Sequence, residues 1–286
     1  MTDELRKNAT RWAIFATVAV VVVVSLLIGG VSDFKATPVV MKVYDTIEKM
    51  PAGTPLLISA DFDPGSEAEL EPMLRAILAQ CWRKKLRVVV MSICSVNSPP
   101  LAGRILKESA AAHGAVYGTD FVQFGYRAGG SAPILALGQD WFAVYPKDLN
   151  DTPSRELPVM KGITKLTDFP LCLEISAVST IDYWILAGNA KYGLKLALGV
   201  TAVMATDYYQ YLATGQVVGI IGGIAGASQY ESLTRRDDLK RASESGKDGG
   251  LASSRMPTQS AIHVAVVLLI LIGNILYFMG RRKAKA

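Results

Sequence analysis

Two aspartates at the end of an apolar segment are the first residues whose type and spacing could do chemistry. Asp61 and Asp63 stand one residue apart in "PLLISADFDPGS", a segment that begins at Pro55. Acidic residues at the end of a strand in an open α/β sheet lie over the crevice in which such folds bind ligands. The same residues also suit a strand end followed by a turn, with Ser66 and Glu69 forming the capping box of a helix. Both interpretations are consistent with the sequence.

The segment "DFDP" resembles the start of the haloacid-dehalogenase phosphatase motif, in which D-x-D-x-T or D-x-D-x-V follows a strand. The resemblance implies that Asp61 attacks phosphorus, that Asp63 handles the proton, and that both lie near magnesium. The sequence departs from the motif because Gly65 stands in the place of Thr or Val, and no clear downstream lysine and acidic pair completes the set. Asp61 and Asp63 are therefore the catalytic candidates, without a complete catalytic set around them.

A glycine-rich segment, "GYRAGGSA" at 125–132, could bind an anion. Paired glycines before a helix start can expose several backbone N–H groups, and the helix dipole favours negative charge there. Arg127 would add a charge-assisted clamp. The alternative is an ordinary glycine-rich turn capped by Ser131. Together with polar residues that follow other predicted strands, the predicted ligand-binding residues are Asn97, Arg127, Gly129, Gly130, Ser131 and Asp207.

A sheet must position these residues, because short apolar runs rich in β-branched residues alternate with helical patterns along the middle of the chain. The alternation predicts a mostly parallel Rossmann-like or flavodoxin-like α/β domain. Apolar spacing predicts a helix over 70–81, and cap residues predict helices over 98–113 and about 179–193. The predicted strands are Pro55–Ala60, Leu86–Ile93, Asp120–Phe124, Pro170–Ile175 and Leu196–Met204.

Two further segments, 12–32 and 259–280, are uncharged and apolar. Each has the ~20 residues that a helix needs to cross a hydrocarbon layer, so we predict two transmembrane helices that flank the sheet domain. The two chain ends carry the whole net charge of +5, and cationic ends are expected on the cytoplasmic side. The predicted location is therefore the inner or plasma membrane, with both termini cytoplasmic and the main domain extracytoplasmic. The other predicted regions are a cytoplasmic N-terminus at 1–11, an α/β domain at 33–232, a flexible polar tether at 233–258 and a basic tail at 281–286.

A third apolar segment, "LATGQVVGIIGGIAGAS" at 212–228, is rich in glycine. Its small-xxx-small spacing is typical of closely packed membrane helices. Because its apolar part is short, we predict a buried or interfacial helix instead of a third membrane span. Polar residues in the second membrane helix indicate helix contacts. The predicted interface residues are Gly215, Gly219, Gly222, Gly226, His263 and Asn274.

Known catalytic and metal-binding motifs are otherwise missing from the sequence. No Cys/His cluster has zinc spacing, and no G-x-S-x-G or S-x-x-K motif supports a serine nucleophile. We predict no metal and no cofactor. Since the positive charge lies at the chain ends, we also predict no nucleic-acid partner.

The predicted function is a non-catalytic binding or scaffold subunit of a bacterial membrane complex, anchored in the membrane with its α/β domain extracytoplasmic. Its predicted partners are the lipid bilayer, other membrane subunits or further copies of the chain, and a small anionic ligand. One alternative is a metal-dependent phosphohydrolase that uses Asp61 and Asp63. Another is a module that senses a small anion with the loop at 125–132.

Overall fold

The computed structural model describes residues 3–28, 35–93, 95–241, 261–262 and 264–271. The chain divides into two compact units, of which one is Met1–Ser32 with Ser253–Ala286 and the other is Asp33–Ala252. The first unit contains helix α1, Asp3–Ile28. The second contains the sheet and the other helices described below.

None of the described helices is both long enough and apolar enough to cross a membrane. Helix α1 begins with several charged residues, Asp3 to Lys7 among them. Of the predicted second span at 259–280, only 261–262 and 264–271 are among the described residues. The predicted transmembrane flanks are therefore unsupported. The predicted location, in the inner or plasma membrane with an extracytoplasmic domain, is wrong for the same reason.

Six parallel strands form one sheet in the order β3-β2-β1-β4-β5-β6. The predicted parallel α/β sheet is thus confirmed, and its strand order is that of the doubly wound Rossmann sheet, not of flavodoxin. Most strand residues are buried because helices cover both faces, which is why the strands are continuous apolar runs. The strands are β1 Pro55–Asp61, β2 Arg87–Ser92, β3 Phe121–Tyr126, β4 Cys172–Ser176, β5 Leu196–Val200 and β6 Val217–Gly222.

At least one helix lies between each strand and the next along the chain, as crossover connections between parallel strands require. The predicted helix over 98–113 is confirmed, and Gly114 ends it in the left-handed conformation, with φ of 69°. A π-helix, Trp184–Lys191, continues the short helix after β4. The helices of this unit are α2 Pro38–Glu48, α3 Glu67–Arg83, α4 Ser98–His113, α5 Ser131–Leu137, α6 Trp141–Val144, α7 Thr180–Tyr183, α8 Ala202–Ala213 and α9 Gly223–Arg241.

The glycine-rich segment at 212–228 does not form the single helix that was predicted. It forms the end of α8, a turn, strand β6 and the start of α9. Gly215 and Gly223 have φ of 75° and 59°, and these left-handed residues separate the three elements. Between them lie Val217, Ile220 and Ile221, whose branched side chains suit a buried strand. Strand β5 likewise ends at Val200, short of the predicted Met204, because α8 begins at Ala202.

The two faces of the sheet pack against different layers. Side chains alternate along a strand, so Leu57 and Ile58 of β1 point to opposite faces. The face of Leu57 packs against an aromatic cluster in which Trp141, Phe124 and Tyr145 have ring centroids 4.9–5.6 Å apart. On the other face, α3 packs between α4 and α9.

Substitution of Gly219, a predicted interface glycine on the edge strand β6, tests whether this residue serves packing within the domain. A Cβ added at Gly219 would lie 2.6 Å from the carbonyl oxygen of Val39 and 2.6 Å from Val43 Cγ2, both in α2. We therefore expect Gly219→Ala to lower the free energy of unfolding by about 1–3 kcal/mol, the usual cost of overpacking. Urea unfolding of the purified chain measures this.

The matched control is Gly125→Ala in β3, where the added Cβ would lie 3.2 Å from Leu149 Cδ2. Leu149 is half exposed and can move, so this variant should lose much less stability. Equal stability of the two variants would contradict the packing role of Gly219.

Candidate functional site

Asp61 lies at the end of β1, where the strand order reverses between β1 and β4. Its side chain is fully buried. Oδ1 accepts hydrogen bonds from Ser92 Oγ at 2.7 Å and from the backbone N–H of Ile93 at 2.8 Å, and Oδ2 accepts one from Ser59 Oγ at 2.6 Å. Three donors thus surround a carboxylate that no phosphoester in solution can reach.

Glu174 is a second buried carboxyl group on the same face of the sheet. It pairs in register with Ser59 of β1, two residues before Asp61, and it is fully buried. Its Oε1 accepts a hydrogen bond from Thr180 Oγ1 at 2.7 Å, whereas no hydrogen-bond partner is found for Oε2 in the described part of the chain. A buried, ionised oxygen without a donor is costly, so the protonated form is favoured.

The two carboxyl groups act on each other. Burial raises the pKa of Glu174 well above its usual value, and the negative charge of Asp61 raises this pKa further. Burial also raises the pKa of the neighbouring Cys172 thiol, with Glu174 and Asp61 adding to the effect. The pKa of Glu174 therefore lies well above its usual value, and Cys172 is an unreactive core residue.

Asp63 has a local structural role. Its Oδ1 accepts hydrogen bonds from Ser66 Oγ at 2.9 Å and from Ser66 N at 3.1 Å, which close the turn before α3. These hydrogen bonds also lower the pKa of Asp63. The turn interpretation of the aspartate pair therefore describes the structure, with Glu69 reaching the backbone N–H of Ala202 at 2.9 Å instead of capping α3.

The glycine-rich loop at 125–132 does not present Arg127 to an open site. The guanidinium lies over the Tyr145 ring at 4.6 Å, and its Nε donates to the carbonyl of Val144 at 3.0 Å. Gly130 packs against the Tyr183 ring, which a Cβ would approach to 3.2 Å. Helix α5 after this loop has only seven residues, too few for a strong N-terminal dipole.

Two of the other predicted ligand residues, Asn97 and Asp207, are not brought together with each other. Asn97 is exposed before α4, which follows β2, and Asp207 is exposed on α8, which follows β5. Three strand spacings separate β2 from β5, or about 14 Å. Gly129 and Ser131 lie at the start of α5. Of the predicted interface residues, Gly215 lies in the turn before β6, Gly219 and Gly222 in β6 and Gly226 in α9, while His263 and Asn274 lie outside the described residues.

A groove of about 640 Å³ lies between α4 and β3, and no motif in the sequence indicates its position. We call it the α4–β3 groove. Gly103 and Gly125 contribute no side chains to it, and a Cβ at Gly103 would lie 2.5 Å from Gln123 Oε1. Gln123 is fixed beneath α4, since its Nε2 donates to the carbonyl of Pro99 at 2.6 Å. The lining residues are Val96, Pro99, Pro100, Gly103, Arg104, Lys107, Gln123, Gly125, Tyr126 and Leu149.

The two cations of the groove have different surroundings. Arg104 forms ion pairs with Glu67 and Glu71 of α3 and with Glu108 of α4, the last at 3.4 Å. Lys107 is exposed, and no ion pair involves it among the residues that the structure describes. Within the same residues, no group of three or more His, Cys, Asp or Glu side chains is arranged to hold a metal ion.

No protein-family model and no curated protein matches the sequence. Among solved structures, the apo structure of OtsA is 12% identical with a TM-score of 0.33, over 82% of this chain and 44% of that chain. A trehalose-6-phosphate synthase, OtsA, is 10% identical with a TM-score of 0.32, over 82% and 43%. The C-terminal domain of a glycosyl transferase group 1 family protein, LpcC from Francisella tularensis, is 11% identical with a TM-score of 0.33, over 82% and 94%. This chain spans less than half the length of the two OtsA chains.

The predicted function, a membrane-anchored extracytoplasmic binding or scaffold subunit, is wrong in its membrane anchor. No described helix is suited to cross a membrane. The phosphohydrolase alternative fails because Asp61 is buried and Asp63 is held by Ser66. The anion-sensing alternative fails because Arg127 is held by Tyr145 and Val144.

The buried acid can be tested through the pH dependence of stability. Because folding raises the pKa of Glu174, the free energy of unfolding should fall as the pH rises above the usual 4.5 towards the folded pKa. The limit of this decline is about 1.4 kcal/mol per pH unit. Glu174→Gln cannot titrate and should lack the decline, as urea unfolding at a series of pH values will show.

Glu71→Gln is the matched control. Burial raises the pKa of Glu71, but hydrogen bonds from Arg75 and Arg104 leave it below the usual 4.5. Glu71 therefore contributes stability above that pH which is lost on acidification, so its variant should differ from the parent on the acid side. If Glu174→Gln declines with rising pH as the parent does, Glu174 is not a buried acid.

Substitutions of Asp61 and Asp63 test whether these residues have a structural role. Asp61→Asn would turn amide hydrogens towards the donors of Ser59, Ser92 or Ile93, and we expect a loss of about 2–4 kcal/mol in unfolding free energy. Asp63→Asn keeps an acceptor for Ser66 and should cost less than about 1 kcal/mol. Denaturant unfolding compares the two, and a stable Asp61→Asn variant would contradict the structural role.

Proposed function

We propose that the chain binds a small amphipathic molecule in the α4–β3 groove. The lining of the groove carries the proposal, because apolar and aromatic side chains form most of it and two cations, Arg104 and Lys107, lie along α4. Small-molecule sites are typically clefts of about 300–1,000 Å³ that are mostly apolar with a few polar groups. The volume of about 640 Å³ falls within that range.

The position of the groove in the fold supports the proposal. Val96 follows β2, and Gly125 and Tyr126 end β3, so the groove opens at the carboxyl edge of the sheet. Doubly wound sheets bind ligands outside the carboxyl ends of their strands. In this chain the buried Asp61 network occupies the usual position between β1 and β4, which favours a site beside β3.

Exposed apolar side chains at the rim of the groove also support binding. Val96 is 67% exposed and Leu149 is 50% exposed. They lie on the two walls, one before α4 and the other in the loop that follows α6. A ligand with an apolar body would remove both from water, and the gain is about 25 cal/mol for each Å² that becomes buried.

A neutral fluorescent probe, N-phenyl-1-naphthylamine, tests the proposal without requiring the natural ligand. We expect the full chain to bind it and Val96→Glu to bind it roughly tenfold more weakly, since the loss of a buried valine contact is worth about 1.5 kcal/mol. Probe fluorescence measures the affinity. Because Val96 is exposed, the substitution should leave the fold intact, which circular dichroism can verify.

Val116→Glu is the matched control, since Val116 is a 57% exposed valine that lies outside the groove. It should bind the probe as the parent does. Equal probe affinity in the parent and both variants would contradict a binding site in the α4–β3 groove.

A further inference from the structure

We infer that the α4–β3 groove takes an elongated monocarboxylate, with its carboxylate at Lys107 and its apolar chain towards Val96. The inference rests on the proposed function and adds the chemical class and the orientation of the ligand. It follows from the order of residues along α4 and from the charges around them.

The groove runs along one face of α4. Pro99, Gly103 and Lys107 follow each other at intervals of four residues, so they lie on the same side of the helix. With a rise of 1.5 Å per residue, Pro99 and Lys107 are about 12 Å apart along the axis. A molecule that contacts both ends must therefore be extended, with a length of about 12 Å.

The charges indicate one negative group at the Lys107 end. Arg104 is already paired with three carboxylates, from Glu67, Glu71 and Glu108. Lys107 is the cation of the groove that has no ion pair among the described residues, and none of the described lining residues is acidic. A carboxylate with a single charge matches one free ammonium group, whereas a phosphate would bring a charge of about −1.5 to −2.

The opposite end of the groove has no charged side chain. Val96, Pro99 and Pro100 form it, and the second and third residues of α4 are prolines, which offer no N–H group to an anion. Leu149 covers it from the other wall. Burying an ionised group there would cost free energy, so the apolar part of the ligand lies at this end.

Displacement of N-phenyl-1-naphthylamine by decanoate tests the inference on the full chain. Decanoate should displace the probe, and Lys107→Glu should weaken this competition about tenfold, because an attraction is replaced by a repulsion. Decanol, the neutral analogue, should displace the probe equally well from the parent and from the variant. The matched control Lys195→Glu changes an exposed lysine just before β5, in the half of the sheet away from β3, and should leave decanoate binding unchanged.

The outcomes separate the ligand class from the site. If the probe binds in the groove but decanoate displaces it equally well from the parent and from Lys107→Glu, the carboxylate assignment is overturned and the proposed function stands. Tenfold stronger competition by decyl phosphate, or by an acetylated apolar tripeptide, would also overturn it in favour of a dianion or a peptide. If Val96→Glu leaves probe binding unchanged, the groove itself is excluded and both proposals fall.

Discussion

The burial of two carboxyl groups at the centre of the sheet is the constraint on which the rest of the structure depends. Asp61 ends β1 where the strand order reverses, and its oxygens accept hydrogen bonds from β1 and from the end of β2. The carbonyl of Asp61 also accepts a hydrogen bond from Ser176 at the end of β4, at 3.2 Å. Three strand ends are thereby tied together, and the position where doubly wound folds usually bind ligands is filled.

This arrangement separates stability from binding. A carboxylate with three donors, next to a second buried carboxyl group whose pKa is raised, is a buried polar network in which the loss of a partner is costly. The cavity that could receive a molecule lies beside β3, where two glycines leave space between α4 and the strand. An alteration of the network is thus expected to act on folding, and an alteration of the groove on binding.

Much of the sheet is predictable from sequence, because buried parallel strands are continuous apolar runs. Strand β6 escapes the same pattern. Gly219 and Gly222 have the spacing of packed membrane helices, yet they are glycines because Val39, far away in the sequence, and Ala205, in the preceding helix, approach them. The position of Asp61 at a strand end is predictable too, but its role is not, since it depends on Glu174 and Ser92 in neighbouring strands. The groove is invisible for the same reason, because it exists only where a helix face packs on an edge strand.

Infrared spectroscopy of the folded chain at neutral pH tests the buried pair most directly. Ordinary carboxyl groups are ionised at that pH, so we expect one carbonyl stretching band from a protonated carboxylic acid, which shifts in deuterated water and is missing from Glu174→Gln. Identical spectra of the parent and Glu174→Gln in the carboxylic acid region would contradict it, because Glu174 would then be ionised and the carboxyl cluster could not have the structure described.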